Sequence, residues 1–231
     1  MQQIYEGVNS DYLQLNNTWH VEDSPWKATQ IIKMINRNKI LIKSVVEIGC
    51  GAGEILNQLH NRLPDNTITF EGYDIATDAH KLALQREKER IKFYLKNLLL
   101  EKNKHYDLLL MIDVFEHVED AYSFVRECAK KATYKIYHIP LDLTASYLIR
   151  NKLLDVKKSV GHINYYTKDT ALAFLTDTDQ EIIDFFYTPT SGESKKIKTK
   201  LMNIPRRILF SIAPDFCVRV LGGYSLMVLT K

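Results

Sequence analysis

Three short segments hold residues whose type and spacing could do chemistry. The first, VVEIGCGAGEIL (residues 45–56), runs an apolar strand directly into Gly49, Gly51 and Gly53, with a helix opening beyond. Glycines let a backbone turn sharply and approach a ligand, while the helix N–H groups point at it. A dinucleotide fingerprint would need glycine at position 54, where Glu54 stands. Glu47, two residues before the first glycine, could accept a hydrogen bond from a ligand ammonium. The second segment is Asp74, 21 residues beyond Gly53, where an acid can hold both hydroxyls of a ribose. The third is DVFEHVED (residues 113–120) at the end of an apolar run.

The elements that must position these residues alternate along the chain. A helix is expected from about Trp26 to Asn38, with Ser24 as its N-cap, Pro25 at its first position and Ile31, Ile32, Met34 and Ile35 on its apolar face. Strands are expected at 44–48, 67–74, 91–95, 106–112, 133–139, 180–187 and 223–230. Helices are expected at 53–63, 76–89, 119–131, 142–154 and 167–176. Short apolar strands alternating with helices imply an α/β fold, a mostly parallel sheet covered on both faces. Ligands of such sheets bind at the carboxyl ends where strand order reverses. The strands ending at Gly49 and Asp113 should flank that crevice. The whole chain reads as one domain: a lid and helix over 1–43, a core over 44–188, a basic insert over 189–222 and a last strand.

The combination of ExGCGxG, an Asp at the next strand end and DxFEHV resembles the class I S-adenosylmethionine-dependent methyltransferases. The likeness is to the small-molecule branch with a D-x-x-E-H-V signature and covers roughly residues 44–188. It implies a Rossmann-like seven-stranded sheet whose last strand is antiparallel, and S-adenosyl-L-methionine as cofactor. By resemblance, Glu47, Gly49, Gly51 and Gly53 would cradle the methionine part and Asp74 the ribose. Asn97 and Leu98 would sit by the adenine, and Asp113 and Phe115 beside the methionine and sulfonium. Cys50, Ile75 and Val114 complete the expected cofactor contacts. Many relatives carry aspartate where Asn97 stands.

Methyl transfer from a sulfonium is an in-line displacement, for which a protein supplies orientation, a dry pocket and, for a hydroxyl acceptor, a base. The N/D-P-P-Y signature of amino-group DNA methyltransferases and the Pro-Cys pair of cytosine C5 enzymes are both absent. A small-molecule oxygen is the expected acceptor. Histidine is the natural base near neutral pH. His117 is either a base or a cap of the following helix, and His138, before Pro140, either a base or a core histidine. His162 stands in a polar-aromatic loop with Tyr165 and Tyr166, suited to gripping an acceptor. The segment WHVEDSPW places Trp19, His20 and Trp26 where a lid over cofactor and acceptor would lie; a helix cap with a hydrophobic staple is the plainer alternative. No pair of acids and histidines has a spacing that forces a metal assignment.

The 231 residues carry 31 basic and 28 acidic side chains, but residues 194–210 alone hold six Lys or Arg and no acid. The remainder is mildly acidic, which disfavours a DNA or RNA binder. The basic insert is a solvated face, an amphipathic helix on anionic lipid, or a cradle for an anionic acceptor such as a phosphorylated or nucleotide-linked sugar or a cell-surface polysaccharide intermediate. Pro205 interrupts the pattern and should limit any single helix there to about two turns on either side. Three cysteines without CxxC spacing, no apolar run of membrane-spanning length and no leader pattern suggest a reduced, cytoplasmic protein, monomer or homodimer. An NAD-dependent oxidoreductase and a non-catalytic nucleoside-binding module are the rival readings.

Overall fold

The computed structural model describes residues 21–190 and 204–231. Seven strands form one sheet: β1 (Ser44–Ile48), β2 (Thr69–Asp74), β3 (Ile91–Leu95), β4 (Tyr106–Ile112), β5 (Ala132–Pro140), β6 (Ile182–Pro189) and β7 (Tyr224–Thr230). Their order is β3-β2-β1-β4-β5-β7-β6. The pairs from β3 to β5 are parallel, and β7 runs antiparallel to both β5 and β6. The last strand is therefore the antiparallel one, as expected. Strand order reverses between β1 and β4, so the glycine loop and Asp113 meet at one sheet edge.

Successive residues of each central strand enter opposite layers of core, because side chains alternate across a strand. Val45, Leu108, Leu110 and Ile136 join Ala28, Ile31, Met34 and Ile35 of α1 (Ser24–Asn38) and Leu56 and Leu59 of α2 (Glu54–Arg62). Val46, Leu109, Met111 and Tyr137 face the other way. They meet Val125 and Cys128 of α4 (Ala121–Ala129), Phe174 of α7 (Lys168–Asp177) and Cys217 and Val218 of α9 (Pro214–Leu221). All three cysteines are free and buried. No described helix is long and apolar enough to cross a membrane.

Several boundaries differ from those read in the sequence. Ser24 is the first residue of α1 rather than its cap; Asp23 takes the cap position at the end of a 3-10 turn, Val21–Asp23. Of the expected apolar face, Ile32 is only partly buried and Ala28 replaces it. Helix α3 spans only Thr77–Leu84. Beyond it, Arg86 bonds Glu54 (2.5 Å) and Glu87 accepts the Phe93 N–H (3.1 Å), drawing the chain back against its neighbours. The single helix expected over 142–154 is two, α5 (Ala145–Ile149) and α6 (Leu153–Val160). Asn151 between them has φ 53°, a left-handed conformation that asparagine tolerates. Pro205 lies in the first turn of α8 (Ile204–Ile212), a short helix of nine residues, where its missing N–H costs no hydrogen bond. The expected N-terminal lid residues Trp19 and His20 and residues 191–203 of the basic insert lie outside the described residues.

Gly53 shows how tightly the glycine loop is fitted. Its φ is +76°, and a Cβ there would stand 2.4 Å from Cζ of the buried Phe93. Gly53→Ala combines backbone strain with overpacking, each of which costs on the order of 1–3 kcal/mol. Thermal unfolding followed by circular dichroism should show a fall in Tm of several degrees; an unchanged Tm would mean the loop is far softer than its contacts indicate.

Candidate active site

A cleft of about 550 Å³ opens at the carboxyl ends of β1 and β4. Such a volume suits one small ligand or cofactor. The glycine loop forms its floor. The Gly49 and Cys50 N–H groups donate to the Tyr73 carbonyl (2.8 and 3.2 Å), tying the loop to β2. Gly49 has φ +66°, and a Cβ would meet Val114 at 2.8 Å, so only glycine lets β1 and the β4 loop approach this closely. Glu54, where a dinucleotide site would need glycine, is bonded by Asn57, Gln58 and Arg86.

Acids crowd the strand ends. Glu47 is buried, and its Oε2 has no hydrogen-bond partner among the described residues. Burial holds its carboxyl well above the usual range; Lys27 opposes the effect and Asp74 adds to it. Asp74 accepts the N–H groups of Gly51 and Ala76, both at 2.8 Å, and burial raises it as well. Asp113 has φ 56°, uncommon outside glycine, and is held from two sides. Lys27 Nζ of α1 lies 2.8 Å from Oδ2, and His138 Nδ1 of β5 lies 2.6 Å from Oδ1. Burial opposes ionisation of Asp113, but His138 and Lys27 outweigh it and hold the carboxyl well below the usual range.

The three histidines have different surroundings. His138 has both ring nitrogens engaged: Nδ1 with Asp113 and Nε2 with the Thr188 hydroxyl at 2.9 Å. An ionised carboxylate only accepts, so Nδ1 carries a proton. Of the two readings of His138, base or core histidine, the geometry matches the second: the ring is buried between its partners and touches Trp26 edge-on. His162 is placed otherwise. Its Nδ1 lies 2.6 Å from Asp142 Oδ2, leaving Nε2 the bare nitrogen, 3.9 Å from Glu116 Oε1. The His117 ring stands edge-on to it with centroids 4.9 Å apart. Burial, helped by His162, pushes His117 down to about 4, against a hydrogen bond with the Gly161 backbone.

Glu116 is buried behind this pair, with both carboxyl oxygens unpartnered among the described residues. Burial raises it well above its ordinary value, and Asp113 adds to that. One ligand atom from each of Glu116, His117 and His162 lies within 4.8 Å of the others, close enough for an ion to bridge. Sequence spacing did not suggest this grouping, because His162 comes from the loop after α6.

Most sequence-predicted residues do meet at the cleft. Glu47, Gly49, Cys50, Gly51, Asp74, Ile75, Asn97, Leu98, Asp113, Val114, Trp26, His117, His138 and His162 all line it. Four do not. Gly53 faces Phe93 instead. Phe115 is fully buried in the core, stacked on Phe174 at 5.0 Å and edge-on to Tyr166. Tyr166 is buried there too, and the Tyr165 hydroxyl is spent on the Leu153 and His162 carbonyls. The aromatic pair thus shapes the loop that presents His162 and offers no surface to the cleft. Lys27 and Asp142 line the cleft and were missed in the sequence. Asp142 stands just beyond the end of β5, a position that could have revealed it.

Residues 46–133 match a family model described as a methyltransferase domain. Over that stretch the chain is similar to a methyltransferase domain, and its sheet has the fold of the class I methyltransferases. The chain is 26% identical over 144 residues to a ubiquinone biosynthesis O-methyltransferase of Nitrosomonas europaea, covering 54% of this chain and 60% of that protein. It is 29% identical over 143 residues to one from Nitrosospira multiformis, covering 54% and 58%. The matches thus span about three fifths of those relatives. Among solved structures, magnesium protoporphyrin IX methyltransferase from Synechocystis PCC 6803 with bound SAH aligns with TM-score 0.59 at 16% identity, over 99% of this chain and 91% of that one. The plantazolicin methyltransferase BpumL in complex with SAH gives 0.62 at 14%, over 100% and 94%.

The raised carboxyl of Glu47 makes stability pH-dependent. A folded-state value above the unfolded one favours folding while the group is protonated in both states, and that advantage is lost as pH rises above the unfolded value. Glu47→Gln removes the dependence. Its Tm relative to the unsubstituted protein should climb between pH 4 and pH 8 in the absence of ligand; a parallel pair of Tm profiles would show that Glu47 ionises freely.

Proposed function

We propose that the chain is an S-adenosylmethionine-dependent O-methyltransferase acting on the hydroxyl of a small molecule. The observation that carries this reading is the buried, unpartnered Glu47 beside a loop of backbone donors, with Asp74 one strand away. These residues fit the cofactor's two polar ends. The Glu47 carboxylate would accept from its ammonium, which compensates the cost of ionising a buried acid. Asp74, with lone pairs to spare beyond its two backbone bonds, would take the ribose hydroxyls, and Asn97 and Leu98 would lie at the base. The cofactor supplies an electrophilic methyl group on a sulfonium.

The chain's own part is to orient the acceptor, exclude water and move one proton. His162 is the base in this reading: Asp142 fixes its tautomer so that Nε2 can take the hydroxyl proton. His117, low in basicity and edge-on to His162, would stay neutral beside it. His138 acts on position, tying Asp113 to β6. The charged cleft lining is mostly acidic, and its cations Lys27 and Lys96 are already paired, with Asp113 and Glu101. That favours a neutral acceptor with an apolar body, met by Trp26, Val114, Val118 and Val160, over the phosphorylated sugar anticipated from the basic insert. The named relatives, ubiquinone biosynthesis O-methyltransferases, agree with oxygen as the atom methylated and give no support to a polysaccharide acceptor. A second reading follows from the Glu116–His117–His162 grouping: a bridging divalent ion would hold the acceptor oxygen in place of a free base.

Titration calorimetry with S-adenosylhomocysteine, S-adenosylmethionine and NAD should give micromolar binding of the two sulfur nucleosides, lost in Asp74→Ala. Binding of NAD alone would overturn the reading. With a panel of phenolic and sugar hydroxyl acceptors, His162→Gln should lower kcat by about 10²–10⁴-fold with little change in nucleoside affinity. Activity that survives chelation keeps the base; activity abolished by chelation and restored by a divalent ion transfers the role to the metal.

A further inference from the structure

The hairpin of α8 and α9 presents two different faces. Inward, Phe210 stacks on Tyr224 at 4.3 Å, and Arg206 lies against Gly223. Outward, Ile204, Ile208 and Ile212 recur every four residues at 47%, 57% and 76% exposure, and Phe216 on α9 is exposed as well, at 58%. A four-residue interval keeps side chains on one side of a helix, so the three isoleucines form a single apolar ridge on α8. The surrounding sequence has one sign of charge. From Ser194 to Pro214 there are six Lys or Arg and no acid, and Arg207 is exposed beside the ridge. The first acid, Asp215, is engaged by Lys168 and Tyr187.

The hairpin packs near the cleft through its inward face: Arg206 lies beside Gly223, whose carbonyl accepts from both the N–H and the hydroxyl of Thr190, and Thr190 lines the cleft. Across the mouth, α6 ends at Val160, another lining residue, and carries the exposed Leu154. Helix α5, with exposed Leu148 and Ile149, is tied to α9 by the Ser146 hydroxyl, which donates to the Leu221 carbonyl at 3.2 Å.

We propose that this hairpin seats the chain on an anionic phospholipid surface, with the isoleucine ridge among the headgroups and the flanking cations on lipid phosphates. An apolar stripe bordered by basic residues, on a helix too short to span, is the pattern of an interfacial helix. A second copy of the chain would bring the same cations against these, whereas an acidic lipid surface neutralises them. Seated this way, the cleft mouth borders the lipid, so that an acceptor with an apolar body reaches Trp26 and His162 from the bilayer. That last consequence rests on the methyltransferase reading; the docking itself does not.

The test is cosedimentation of the full chain with sucrose-loaded vesicles, without nucleoside or acceptor, so that its outcome is independent of methyl transfer. Vesicles of phosphatidylcholine with phosphatidylglycerol should bind at least about tenfold more tightly than phosphatidylcholine alone, and salt should weaken the binding. The double variant Ile208→Ser/Ile212→Ser, exposed at both sites and expected to melt like the parent, should lose about tenfold or more on the anionic vesicles. Failure to bind anionic vesicles at low salt would overturn the proposal, as would equal binding by parent and variant. Self-association in sedimentation velocity that the variant abolishes, without vesicle binding, would assign the ridge to a second copy of the chain instead.

Discussion

The charged chain Lys27–Asp113–His138–Thr188 holds four separate elements to one geometry. It begins on α1, crosses the end of β4, passes through β5 and ends on β6. Asp113 is its centre, in a left-handed conformation that costs energy on its own account. Lys27 and His138 keep the carboxylate ionised there despite burial. Breaking one partner of such a buried pair leaves an uncompensated charge, which is costly. The glycine loop, the β4 loop and the His117 turn all take their positions from this fixed point.

Around that satisfied chain the cleft leaves other acids unsatisfied. Glu47 and Glu116 are as buried as any leucine of the core, yet Glu47 Oε2 and both Glu116 oxygens find no hydrogen-bond partner among the described residues. A folded protein seldom leaves such groups orphaned without a use. The contrast is with Asp113, whose two oxygens are both engaged within the protein. The same logic divides the histidines. His138 is closed at both nitrogens, while His162 is closed at one and open toward the cleft.

Much of this was legible in the sequence. The apolar strands alternating with helices announced a parallel sheet, and the order reversal at β1 and β4 followed from where the glycines and Asp113 stand. Thirteen cleft residues were named from the strand-end motifs, the N-terminal segment and the family resemblance, and His162 from the polar-aromatic character of its loop. What could not be read was direction. Phe115, Tyr165 and Tyr166 sit next to cleft residues in sequence, yet Phe115 and Tyr166 turn into the core and the Tyr165 hydroxyl is held by backbone carbonyls. Lys27 sits on a helix whose periodicity gave no reason to bury a cation, because its partner lies 86 residues away. The pairing of His162 with Asp142 and its approach to Glu116 are likewise tertiary events.

The chemistry of the cleft and the charge of the chain point in different directions. The positive surplus lies in one stretch around α8, and the cleft lining is mostly acidic. Net charge therefore misdirects the choice of acceptor, and the division of the two signs between hairpin and cleft guides it better. The most direct test of the account is a crystal structure with S-adenosylhomocysteine bound. The account predicts the amino group on Glu47, the ribose hydroxyls on Asp74 and the Lys27–Asp113–His138 chain unchanged. A nucleoside bound away from the β1–β4 crevice, or a rearranged Asp113, would contradict it.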